Sequence, residues 1–225
     1  MSQGKSQPSM RSGTNYYLAK PESGTGGQVL VLHAWWGLNE FIKELCDRLA
    51  KEGFVALAPD LYHGEVASTI EQAEQLSSQL KQDVVAQEIT QAVEQLQASS
   101  GTNTRQIGVI GFSLGGYWAL WLANQRSNPV IATVVFYATR DEDYAQSHSA
   151  FQFHLAETDE YEPTSEVKKL QNAMSAAGKP AEFYTYEGTT HWFFESDRTD
   201  AYQAESAKLA WNRTVEFLKA HIKET

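Results

Sequence analysis

The strongest constraint on this chain is a repeating order: short, largely apolar runs, most of them followed by a segment whose apolar residues recur at helical spacing. The runs are Val29–Leu32, Phe54–Ala58, Ile107–Ile110, Val130–Tyr137, Phe151–Leu155 and Phe183–Tyr186. A strand with one wet face alternates apolar and polar residues, whereas an unbroken apolar run marks a strand covered on both faces. Strands that alternate with helices join in parallel, because each crossover must travel back over the sheet. The pattern predicts an α/β fold with a mostly parallel central sheet, helices on both faces and no large cap domain.

The intervening segments read as helices. Phe41, Ile42, Leu45 and Leu49 share one face behind an Asn39 cap, and Gly53 closes the segment where a left-handed residue is wanted. A long polar helix is expected from Thr69 to Gln97, another from Tyr117 to about Gln125, one capped by Ser165 through Val167, Leu170 and Met174, and a closing helix from Ala201 to Ile222. With 225 residues and no internal repeat or linker, the expectation is a single domain over 14–225 behind a frayed, Ser/Gln/Gly/Pro-rich tail at 1–13.

Charge narrows the partners. With 18 Lys and Arg against 28 Asp and Glu, the net charge of −10 opposes nucleic acid and anionic membranes. The lone Cys46 cannot form an internal disulfide and has no Cys/His cluster around it, so a thiolate metal site is not expected. The N-terminal residues lack an apolar signal core, and the longest apolar stretch, Val130–Thr139, is half the roughly 20 residues a spanning helix needs. A cytoplasmic protein with no membrane or nucleic-acid partner is the reading.

Gly111-Phe112-Ser113-Leu114-Gly115 has the G-x-S-x-G form. The string alone is common, so its position decides: it follows a buried-type strand and opens a helix, where flanking glycines permit a tight turn that lifts a serine clear of the sheet. A serine needs a base, and His191 stands five residues beyond the last strand, on a Gly-containing loop at the sheet's carboxyl edge. Among the other histidines, His154, His148 and His221 read as structural or exposed, and His33 and His63 as pocket residues. The orienting carboxylate should follow the preceding strand, where Asp159 fits best among neighbours Glu157, Glu160 and Glu162. The chain order Ser113, Asp159, His191 is that of the α/β-hydrolases.

Five segments in order then resemble the dienelactone hydrolase family: VLVLHAWWGLN (29–39), FVALAPDLY (54–62), GFSLGG (111–116), ETDEYEP (157–163) and GTTHWFF (188–194). The resemblance spans about Tyr17 to Ile222. It implies a cofactor- and metal-free hydrolase, monomeric or homodimeric, with Ser113 as nucleophile, Asp159 as acid, His191 as base, and the backbone N–H groups of Leu114 and Trp35 as oxyanion donors. Two departures stand out: serine replaces the family's cysteine at Ser113, and Ala34 replaces its oxyanion-loop glutamate. A serine alcohol can rest neutral against His191 and needs no glutamate to hold it. His63-Gly64 and Glu195 occupy the positions of the family's two carboxylate-gripping arginines, leaving Arg140 and Arg198 as possible substitutes. Trp36, Tyr62, His63, Tyr137, Trp192 and Phe193 are the expected substrate pocket, while Trp118 and Trp121 read as core. The resulting expectation is a serine esterase or lactonase acting on a small molecule. A small acyl-peptide or amide hydrolase, or a non-catalytic small-molecule-binding homologue, are the alternatives.

Overall fold

The computed structural model describes residues 15–127 and 129–222, so the expected tail at 1–13 lies outside the described residues. These residues form two compact units divided after Thr104. The first holds β1 (Tyr16–Ala19), β2 (Gly27–Leu32), α1 (Glu40–Lys51), β3 (Phe54–Pro59), α2 (Ile70–Ser78) and α3 (Gln82–Ser99). Here β2 and β3 are parallel, with Val29 beside Ala56, while β1 runs antiparallel to β3. The second holds β4 (Ile107–Phe112), α4 (Leu114–Ala123), β5 (Val130–Phe136), β6 (Ala150–Ala156), α5 (Thr164–Ala176), β7 (Ala181–Tyr186) and α6 (Ala204–His221). Its strands pair in parallel in the order β4-β5-β6-β7.

The apolar runs are the buried strands except for Phe183–Tyr186, which lies in β7, where only Tyr186 is buried. Every residue of β2, β3 and β4 is buried, and in β5 only Ile131 is partly exposed. In the first unit α1 and α3 pack on β3; in the second α4 and α6 pack on β5. The α1 reading holds in detail, since the Asn39 side chain accepts from the Ile42 N–H at 3.1 Å. Trp118 is buried as core, whereas Trp121, edge-on to it at 5.5 Å, is partly exposed.

Three readings need correction, and β1 was not read from the sequence. The helix expected over 69–97 is two helices, broken between Ser78 and Gln82. The hydroxyls of Ser77 and Ser78 bond back to the Glu74 and Gln75 carbonyls, a local competition that ends α2 without Gly or Pro. Ser165 is not a cap, because α5 starts at Thr164 directly after Pro163. α4 begins at Leu114 rather than Tyr117, without an intervening loop. The short β1 carries no turn residues that would announce it.

Candidate active site

The site is assembled at the carboxyl ends of β4, β5, β6 and β7, all within the second unit. Between β4 and α4 the chain turns so tightly that a Cβ on Gly111 would lie 2.3 Å from the Gly115 carbonyl oxygen. A Cβ on Gly116 would come within 2.6 Å of the Ala138 side chain, so only glycine lets the helix sit this close to the sheet. At the turn Ser113 has φ 49°, a left-handed conformation costly for a residue with a Cβ, and its N–H is tied to the Phe136 carbonyl at 3.0 Å. Ser113 is partly exposed and is the N-cap residue of α4, whose first amides have no intrahelical partner by position.

His191 arrives from the loop after β7. Its Nε2 lies 2.9 Å from Ser113 Oγ, and its Nδ1 lies 2.8 Å from both oxygens of Asp159. The Asp159 carboxylate can only accept, so it draws the proton to Nδ1 and leaves Nε2 to accept from the serine hydroxyl. The imidazole is 4% exposed and the Asp159 side chain 6%, which keeps water from competing for these bonds. Asp159 Oδ1 also accepts the backbone N–H groups of Tyr161 and Glu162 at 2.9 and 3.0 Å, a turn that fixes the carboxylate.

The loops carrying acid and base are bound together. Thr158 N–H donates to the Thr189 carbonyl, Glu157 N–H to the Thr189 hydroxyl, and Gly188 N–H to the Glu157 carboxylate. Of the three glutamates beside Asp159, Glu157 is thus a loop brace and Glu160 is exposed. Glu162 accepts from the Thr139 hydroxyl at 2.6 Å, and burial pushes its carboxyl up to about 7.

Three aromatic rings contact the imidazole: Tyr137 at 4.7 Å between centroids, Tyr161 at 4.8 Å and Trp192 at 4.8 Å. Tyr137 (φ 38°) and Trp192 (φ 66°) share with Ser113 a positive φ at a non-glycine residue, so three strained residues meet around one histidine. Tyr161 escaped the sequence reading because an exposed loop tyrosine beside acids carries no pattern.

The other expected site residues divide. Tyr137 and Phe193 have no exposed surface, and their rings meet at 5.8 Å, so they form a buried pair, with Tyr137 against the imidazole, rather than an open wall. In the first unit Trp36 is buried and Trp35 half-buried, both after β2. Tyr62 and His63 border a cavity of about 330 Å³ there, with Leu76, Leu80, Val84 and Glu88. His63 is exposed and faces Glu88 at 3.4 Å. His33 is fully buried, its ring nitrogens engaged by the Ala34 carbonyl and the Leu61 N–H, so it braces backbone instead of lining a pocket. His154 is likewise buried, held by Tyr186, Gln152 and Thr214, and burial pushes its pKa down to about 3. Burial raises the Cys46 thiol well above its ordinary range, which makes it an inert core residue. Arg140 stacks over Tyr117 and gives its Nε to Glu142, and Arg198 pairs with Asp197. Among the described residues no group of three or more His, Cys, Asp or Glu is arranged to hold a metal ion, and no helix is long and apolar enough to cross a membrane.

The dienelactone hydrolase family profile matches residues 15–222. The chain belongs to that family. It is 34% identical over 215 residues to Protein usf of Aquifex pyrophilus, covering 92% of this chain and 93% of the relative. A candidate carboxymethylenebutenolidase of Aquifex aeolicus (strain VF5) is 33% identical over 216 residues, covering 92% and 93%. Among solved structures, a dienelactone hydrolase-like promiscuous phosphotriesterase from metagenomic libraries superposes with a TM-score of 0.83 at 20% identity, covering 93% of each chain. That likeness speaks for the fold: a mostly parallel α/β-hydrolase sheet with helices and no large cap.

Proposed function

We propose that this dienelactone hydrolase family member is a cytoplasmic, cofactor-independent serine hydrolase that cleaves a small carboxylic ester or lactone through an acyl-enzyme. The reading is carried by the unbroken hydrogen-bond chain from Asp159 through His191 to Ser113 Oγ, with Ser113 held at a strained elbow. Ser113 Oγ attacks the carbonyl carbon as His191 Nε2 takes its proton, and Asp159 stabilises the imidazolium that forms. The Leu114 N–H at the start of α4 offers hydrogen bonding and the helix's positive end to the developing oxyanion. The imidazolium then protonates the leaving alkoxide. Water, deprotonated by His191, attacks the acyl-serine, and the imidazolium returns that proton to Ser113 Oγ as the ester bond breaks and the acid leaves.

The acyl group is neutral in this reading. A buried substrate carboxylate needs a paired cation, and the guanidiniums near the candidate site already serve Glu142 and Asp197. The test is a panel of p-nitrophenyl esters, small lactones, their ω-carboxylate analogues and a peptide amide, run beside Ser113→Ala. The variant should lose ester or lactone hydrolysis by roughly 10⁴-fold or more, as removing a nucleophile does elsewhere. A variant that kept a tenth of the rate, or a wild-type protein that a fluorophosphonate probe left unlabelled, would overturn the serine mechanism. Cleavage confined to the amide would move the family member to the amidases.

A further inference from the structure

A second buried acid lies next to the base. Glu195 is 1% exposed in the loop between β7 and α6, and its Oε1 accepts from the Tyr137 hydroxyl at 2.6 Å. The Tyr137 ring, fully buried at the end of β5, lies against His191 at 4.7 Å. Glu195 is itself fixed: its N–H donates to the Trp192 carbonyl and its carbonyl accepts from the Arg198 N–H, both at 2.9 Å. Tyr137 holds a φ of 38°, which an L residue keeps only when its surroundings impose it. An apolar pair would fill this space without desolvating a carboxyl, so the contribution of the hydrogen bond is to position.

We propose that Glu195, acting through Tyr137, is a positioning residue for His191: the buried acid clamps the strained tyrosine on which the imidazole rests. The effect on rate rests on the serine-hydrolase reading; the effect on the imidazole does not. The clamp works with the carboxyl neutral. Burial pushes Glu195 up to about 8, Asp197 adds in the same direction, and the Tyr137 hydrogen bond and Arg198 oppose it. The ionisable groups around the Tyr137–Glu195 pair are Asp159, His191, Asp197 and Arg198, and the Arg198 guanidinium is paired with Asp197. Ionisation above pH 8 therefore adds a charge among two aspartates, beside the tyrosine and the base.

The experiment compares the wild type with Glu195→Gln, Glu195→Ala and Tyr137→Phe. The His191 ring resonances are followed by NMR from pH 5 to 10, and kcat and KM are measured over the same range. In the wild type the His191 signals should show a separate inflection near pH 8 that Glu195→Gln abolishes, because glutamine keeps the hydrogen bond and cannot ionise. Wild-type kcat should fall above pH 8, and Glu195→Gln should retain kcat at pH 7 within about threefold and lack that fall, while Glu195→Ala and Tyr137→Phe lower kcat about tenfold with KM within twofold. His191 titrations that coincide in the wild type and Glu195→Gln would overturn the proposal, as would a Glu195→Ala protein with wild-type kcat. If the NMR inflection behaves as expected but hydrolysis does not depend on Ser113, the proposed chemistry fails and the clamp stands.

Discussion

Ser113 is placed by sterics and activated by hydrogen bonds, and the two contributions can be separated by substitution. The elbow is set where Gly111 and Gly116 permit a close approach of helix and sheet, and none of those contacts involves Asp159. Asp159→Asn should therefore leave the fold and Ser113 in place. Its amide can present an N–H where Nδ1–H now donates, favouring the tautomer in which Nε2 carries the proton and cannot accept from the serine. The expected outcome is a loss of kcat on the order of 10⁴ with an unchanged circular dichroism spectrum and thermal midpoint within a few degrees. Glu157→Gln should behave differently, because Glu157 holds the Gly188 N–H and never touches the imidazole. Gln keeps an acceptor for that amide, so a fall of less than about tenfold is expected in parallel assays. A Glu157→Gln loss matching that of Asp159→Asn would reassign the acid.

At the scale of elements, what could be read from sequence was what leaves a periodic or steric trace. The strands buried on both faces announced themselves as unbroken apolar runs, and Asn39 announced α1 because an Asx side chain before an apolar period has one strong use. Ser113, Asp159 and His191 were legible because each follows a strand end in a fixed order. The Tyr137–Glu195 bond and the Tyr161 contact were not, because each depends on which distant side chains meet, and the break in the 69–97 helix was not, because serine hydroxyls bonding back three residues leave no Gly or Pro to mark it. Helix caps make the difference measurable. Asn39 and Thr69 both cap with side-chain oxygens, but α1 buries six side chains and α2 only Ala73. Asn39→Ala should lower global stability by about 1 kcal/mol, read as a shift in denaturant midpoint. Thr69→Ala removes a similar cap from a helix that opens locally, so amide exchange in α2 should accelerate about fivefold while the midpoint hardly moves. Equal midpoint shifts in the two variants would mean that α2 unfolds with the rest of the protein.

Over the whole molecule the buried ionisable groups set how stability depends on pH, and they pull in opposite directions. His154 and His33 are buried neutral, with His154 pushed down to about 3 and His33 lowered by the same desolvation. Unfolding lets them bind protons below their ordinary value of about 6.5, so the stability they contribute is present above that pH and lost as pH falls. Glu162 and Glu195 are raised, to about 7 and about 8, and behave in the reverse sense. Their contribution is complete below the ordinary carboxylate range near 4.3 and is lost as pH rises through the folded values. Glu88, raised by partial burial, adds to that loss. Between roughly pH 4.5 and 6.5 the two histidines and the two glutamates nearly cancel, which predicts a plateau in thermal midpoint. Below it the histidines dominate and the midpoint falls. From pH 6.5 to 8 the glutamates act alone, and at about 1.4 kcal/mol per pH unit for each unmatched proton the loss is on the order of 2 kcal/mol. The net charge of −10 at pH 7 adds a salt-screened repulsion of the same sign. Calorimetry across pH 4 to 9 at high salt isolates the buried groups. Glu195→Gln should flatten the segment between pH 7 and 8, where Glu162 is already ionised and Glu195 is not, and it leaves two histidines against one glutamate below pH 6.5, so that the midpoint climbs there instead of holding level. A Glu195→Gln curve parallel to the wild type through that window would mean that Glu195 carries its charge in the folded protein.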